Sequence, residues 1–121
     1  NHFGMNRISQ LGALAALADQ DHLNAVLLAV ETSRQQIAAI AKDNGLMALP
    51  TATNFVAVDC GQDGAFAQRL VAELAAEGVF IRMPFVAPQN RCIRISCGPQ
   101  ADMDVLAAAL PLALRRANDG A

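Results

Sequence analysis

Two short apolar stretches constrain this chain most. They are Gly78-Val79-Phe80-Ile81-Arg82-Met83-Pro84 and Asn90-Arg91-Cys92-Ile93-Arg94-Ile95-Ser96-Cys97-Gly98-Pro99. Both read as strands, joined by a loop that contains proline. Each places one arginine among apolar neighbours, Arg82 in the first and Arg94 in the second. Strand side chains alternate between faces. Ile93, Ile95 and Cys97 therefore share one face, and Cys92, Arg94 and Ser96 the other. Val79 and Ile81 oppose Phe80 and Arg82 in the same way. If the valine and isoleucines meet a helical layer, both arginines point away from it. A guanidinium is a rigid fork of donors that matches carboxylate or phosphate. Two on one face of a small sheet form a candidate anion site. An arginine on the polar face of a strand is also an ordinary solvated residue, and the pattern alone leaves both readings open.

The rest of the chain supplies the helical layer. Met5, Ile8, Leu11, Leu14 and Leu17 recur every three residues, which predicts a helix from about Met5 to Ala18. Gly12 inside it marks a possible close approach of another backbone. Asp19 or Asp21 suits the cap of a second, longer helix that runs to Asn44, with Gly45 past its end. Leu23, Val26, Leu27, Val30, Ile37, Ile40 and Ala41 trace its apolar stripe. Its polar middle, Glu31 to Gln36, is expected to be more exposed or to bridge two domains. Asn54 to Asp59 reads as a strand whose Phe55-Val56-Ala57-Val58 core asks for cover on both faces. Ala65 to Glu77 is a helix ended by Gly78. A last helix spans about Ala101 to Ala117, with Pro111 inside it.

A helix between the strand at Asn54–Asp59 and that at Val79–Met83 makes those two parallel, and the third antiparallel to both. The simplest sheet inserts the third between the others. The fold class expected is α+β: a two-layer sandwich, a three-stranded mixed sheet of order 1-3-2 with helices on one face.

The 121 residues suffice for one domain. Hydrophobic residues make up 54% and charged ones 17%, so the chain is globular. With a net charge of −2 and no Trp or Tyr, nothing recruits or stacks nucleic acid. No apolar run reaches the ~20 residues that span a bilayer. Cys60, Cys92 and Cys97 are odd in number and form no C-x-x-C, which argues against both a disulfide framework and a zinc site. A reducing cytoplasm is the expected compartment. The chain opens on Asn1, so it is expected to be either processed or a piece of something longer.

Other chemistry is sparse. His2 and His22 lack ligand-spaced neighbours, so no metal is expected. Acidic residues fall at caps and on exposed helix faces. There is no Gly-rich phosphate loop. Lys42, the only lysine, sits at a helix end, where a solvated cation is the ordinary reading. Asn54 is a strand-entry residue or a support for the arginine site.

Taken together, Ala52-Thr53-Asn54-Phe55-Val56, Gly78-Val79-Phe80-Ile81-Arg82 and Cys92-Ile93-Arg94-Ile95-Ser96-Cys97-Gly98 resemble the C-terminal small domain of the fold-type I (class I/II) pyridoxal-phosphate aminotransferases. The histidinol-phosphate aminotransferase-like branch is the nearest in pattern. Asn1-His2-Phe3-Gly4-Met5-Asn6-Arg7 and the helix after it resemble the connection that follows the cofactor domain, which assigns residues 1–20 to that link. The resemblance covers residues 1–121. It implies that Arg94 holds the substrate carboxylate or phosphate, that Arg82 assists, and that Asn54 supports the site. It also implies pyridoxal 5'-phosphate as cofactor, a small amino acid or 2-oxo acid as substrate, and a homodimer. The family's Schiff-base lysine and cofactor ligands have no counterpart here. The chain therefore holds no catalytic, cofactor-binding or metal residue, and alone it is expected to be inactive. The rival reading is a stand-alone α+β module that binds a small anion or amino acid through the same arginines. A purely structural or oligomerisation domain is the third.

Overall fold

A computed structural model describes residues 4–119. Asn1, His2 and Phe3, part of the predicted linking segment, lie outside the described residues. The elements in order are α1 (Arg7–Ala18), α2 (Gln20–Asp43), β1 (Met47–Ala48), β2 (Phe55–Asp59), α3 (Gly64–Ala76), a 3-10 turn (Gln89–Arg91), β3 (Cys92–Ser96) and α4 (Gln100–Asp119).

Local chemistry explains most boundaries. The Asn6 side chain accepts from the Ser9 amide at 2.8 Å and starts α1. Asp19 accepts from the His22 amide at 3.0 Å and starts α2. Asp63 does the same for α3, accepting from the Phe66 amide at 2.8 Å. Helix α2 closes as the Leu46 amide donates back to the Ala41 carbonyl, with Gly45 at φ 73°. Pro111 lies inside α4, which continues through it.

The sheet is α+β in setting, with α2, α3 and α4 packed on one face. Val56, Val58, Ile93 and Ile95 turn toward those helices and meet Ile37, Phe66, Leu70, Leu74, Leu106 and Leu110, all buried. Strand β2 pairs antiparallel with β3 from Phe55↔Ser96 to Asp59↔Cys92.

Five expectations change. The regular strands run β1-β2-β3 and every pairing is antiparallel, in place of the mixed sheet of order 1-3-2, because Met47–Ala48 adds an unforeseen antiparallel edge to β2. Two residues are too few to show an alternating pattern. The Val79–Met83 segment forms no regular strand. It meets β3 only at the Arg82↔Arg94 bridge, so it flanks β3 on the side away from β2. Strand β2 is fully buried on one face only; Phe55 and Ala57 on the other are half-buried.

The remaining two concern the first helices. Helix α1 has no buried residue, and among the described residues no other element approaches Gly12. Within α2 the buried residues are Ser33, Ile37 and Ala41, so the helix enters the core at its polar middle. Leu23, Val26, Leu27 and Leu28 remain exposed. Ser33 is only 2% exposed. Its hydroxyl accepts from the Gly98 amide at 3.0 Å and lies 3.5 Å from the Met103 sulfur, which satisfies it inside the core.

Candidate anion-binding site

Arg82 and Arg94 are a directly opposed antiparallel pair. The Arg82 amide donates to the Arg94 carbonyl at 3.3 Å, and the Arg94 amide returns a bond to Arg82 at 2.6 Å. Residues that exchange both bonds carry their side chains on the same face of the ladder. On β3 that face is the exposed one, since Ile93 and Ile95 point the other way into the core. Both guanidinium groups thus belong to the side no packed helix covers. They share a recess of about 290 Å³ with Phe80, Ile81 and Ser96.

Like charges placed directly opposite each other repel. Among the described residues neither arginine has a carboxylate partner. Arg91, next to β3, is different. Its Nε donates to Asp59 at 2.8 Å, and Asp59 also accepts from the Gly61 amide. The Gly61 amide first, and Arg91 second, hold the Asp59 carboxyl below its usual range. The sheet end therefore carries one neutralised arginine and two uncompensated ones.

Sequence reasoning missed one member of the site. The Arg94 guanidinium carbon lies over the Phe55 ring, 4.2 Å from its centroid. Phe55 opposes Ser96 and sits diagonally across the ladder from Arg94. The visible signal was period two: Phe55 falls on the same face of β2 as Ala57, which is the cross-strand partner of Arg94. Asn54 is exposed, and its side chain makes no hydrogen bond among the described residues. Its carbonyl accepts from the Cys97 amide at 2.9 Å and extends the β2–β3 pairing.

Other groups have little to contribute. A larger cleft, about 500 Å³, lies between Gly78–Ile81 and the start of α4, but Asp102 is the only charged residue lining it. An anion is matched by the smaller recess. Burial pushes the Cys60 thiol up to about 11, and that of Cys92 upward as well, so neither is a ready nucleophile. Lys42 is exposed in the last turn of α2. Among the described residues no cluster of three His, Cys, Asp or Glu could hold a metal, and no helix is long and apolar enough to cross a membrane.

In its sheet, its one-sided helical layer and its sequence, the chain is similar to one part of aminotransferases, as the resemblance of its motifs implies. The proteins it matches in part are histidinol-phosphate aminotransferases. The crystal structure of histidinol-phosphate aminotransferase from Sinorhizobium meliloti, in complex with pyridoxal-5'-phosphate, is 60% identical with a TM-score of 0.91. That match covers 96% of this chain and 32% of that one. Histidinol-phosphate aminotransferase 1 of Mesorhizobium japonicum is 33% identical over 89% of this chain and 29% of its own length. Histidinol-phosphate aminotransferase 2 of Caulobacter vibrioides is 35% identical over 93% and 28%. The chain thus spans less than a third of the curated relatives it matches. No protein-family profile matches it.

Proposed function

We propose that residues 1–121 are the C-terminal small domain of a pyridoxal-phosphate-dependent aminotransferase, with residues 1–20 linking it to a cofactor domain. The intact protein transfers an amino group between an amino acid, or histidinol phosphate, and a 2-oxo acid, and works as a cytoplasmic homodimer. The observation that carries this reading is the pair Arg82 and Arg94, uncompensated among the described residues and lining one recess.

Arg94 grips the substrate carboxylate or phosphate with its planar fork. Arg82 adds a second cation to the same recess, which suits a dianionic group. Asn54 supports the pair through the backbone bond that ties the start of β2 to the end of β3. Anchoring the anionic end restricts the rest of the substrate to one orientation, and such positioning lowers a barrier by entropy already lost on binding. The residues of this chain do not fit the cofactor, since the one lysine is exposed at a helix end remote from the recess in sequence. When bound by the remainder of the protein, that group supplies an electron sink. The chain by itself is inactive in transamination.

The test is steady-state kinetics of the intact protein. Arg94→Ala is expected to raise the KM for the amino donor by about tenfold or more, the loss of one charge-assisted hydrogen-bonded contact. Arg82→Ala has the smaller effect. Unchanged constants in both variants, with the cofactor still bound, reject the reading.

A further inference from the structure

We infer that Phe55 is the positioning residue for Arg94, holding its guanidinium ready for an anion. The inference rests on the anion-site reading and deepens it.

Arg94 faces two neighbours of opposite effect. Arg82, directly across the bridge, repels it. The ring of Phe55, 4.2 Å away on the other side of β3, attracts it, because the face of an aromatic ring is negative. No carboxylate competes among the described residues. A carboxylate would engage the edge of the fork and neutralise it. A ring face engages the flat of the guanidinium and leaves its edge donors free. Phe55 thus restrains Arg94 while leaving its charge and its donors for the ligand.

The backbone that carries the ring is anchored at the start of β2. The Thr51 and Thr53 hydroxyls both donate to the Phe55 carbonyl, at 2.9 and 3.2 Å. Arg34 of α2 donates to the Thr53 carbonyl at 3.2 Å, tying this turn to the helical layer. One arginine is fastened to structure so that another stays available.

The experiment uses the intact, cofactor-loaded protein and inorganic phosphate as the probe, measured as an inhibitor competing with the amino donor. Phe55→Leu is expected to raise the phosphate inhibition constant and the donor KM by about fivefold, the worth of a partly exposed cation–π contact. The kcat should change less than KM, and Phe55→Tyr should restore both constants. Ring-fluorinated phenylalanines at position 55 keep the volume and drain the ring face, so the phosphate constant should rise stepwise with fluorine number. That series answers the case in which Phe55→Leu folds poorly. A flat series, or a Tyr variant no better than Leu, overturns the role of the ring. If Arg94→Ala still weakens phosphate in that event, the anion-site reading survives without it. If Arg94→Ala is also silent, the anion-site reading fails first and the inference falls with it.

Discussion

The backbones of Arg82 and Arg94 exchange both hydrogen bonds of a single antiparallel bridge, which sets two cationic side chains opposite each other, with no carboxylate paired to either among the described residues. The repulsion is a standing cost that an anion in the recess would remove. Arg82→Gln is therefore expected to stabilise the ligand-free intact protein slightly, by up to about 1 kcal/mol. The same change should reduce the rise in melting temperature produced by phosphate, since that rise follows the occupancy of the native state. Thermal unfolding with and without phosphate checks both signs. A variant less stable without phosphate and equally stabilised by it contradicts the bridge as an anion site.

Ser33 is the polar residue at the point where α2 enters the core. Ser33→Ala leaves the Gly98 amide without its acceptor. The expected loss is about 1 kcal/mol, the low end for an orphaned donor, because Gly98 is only half-buried. Denaturant midpoints of the intact protein measure it. A loss near zero means that water reaches the amide.

Cys60 gives a pH dependence with a definite sign. Burial is the main cause that lifts its thiol from the usual 9.0 to about 11, helped by Cys92 and Asp59. Below pH 9 the thiol is neutral in both folded and unfolded chains and costs nothing. Between about 9 and 11 the unfolded chain releases its proton while the folded one keeps it, so stability falls as pH rises. Cys60→Ala should flatten that alkaline slope while lowering stability at neutral pH. Denaturation midpoints between pH 8 and 10.5 compare the two; identical slopes remove Cys60 as the cause.

Phe66 is almost fully buried in the first turns of α3, against the core it shares with α4. Phe66→Ala is expected to cost about 3–5 kcal/mol through lost transfer energy and a cavity. By contrast, Phe85→Ala should be near neutral, because that ring is 93% exposed. Chemical denaturation distinguishes them, and equal effects would mean that the loop before the 3-10 turn is packed in the intact protein.

Elements with strong local codes were legible from residues alone. Asp19, Gly45 and Gly78 marked helix ends because capping and positive φ act within a few residues. Alternation in Ile93–Cys97 assigned Arg94 to the face opposite the core. The apolar stripe of α1 predicted a helix, and the helix forms, but its apolar face is exposed, since periodicity says that a face is apolar and not what meets it. Residues Glu31 to Gln36 read as exposed, yet Ser33 is buried because α4 packs there and the Gly98 amide needs its hydroxyl. Phe55 read as an ordinary strand hydrophobe, and only the register with β3 brings it to Arg94.

Local sequence set where the helices start and stop, which residues of one strand share a face, and that two arginines stand among apolar neighbours, because each depends on forces within one or two turns of chain. The tertiary structure alone decided that β1 joins β2, that the Arg82 segment touches β3 at one bridge, and that an aromatic ring lies against Arg94. Strand register is a contact between residues far apart in the chain, and no short-range pattern encodes which partner the fold will bring.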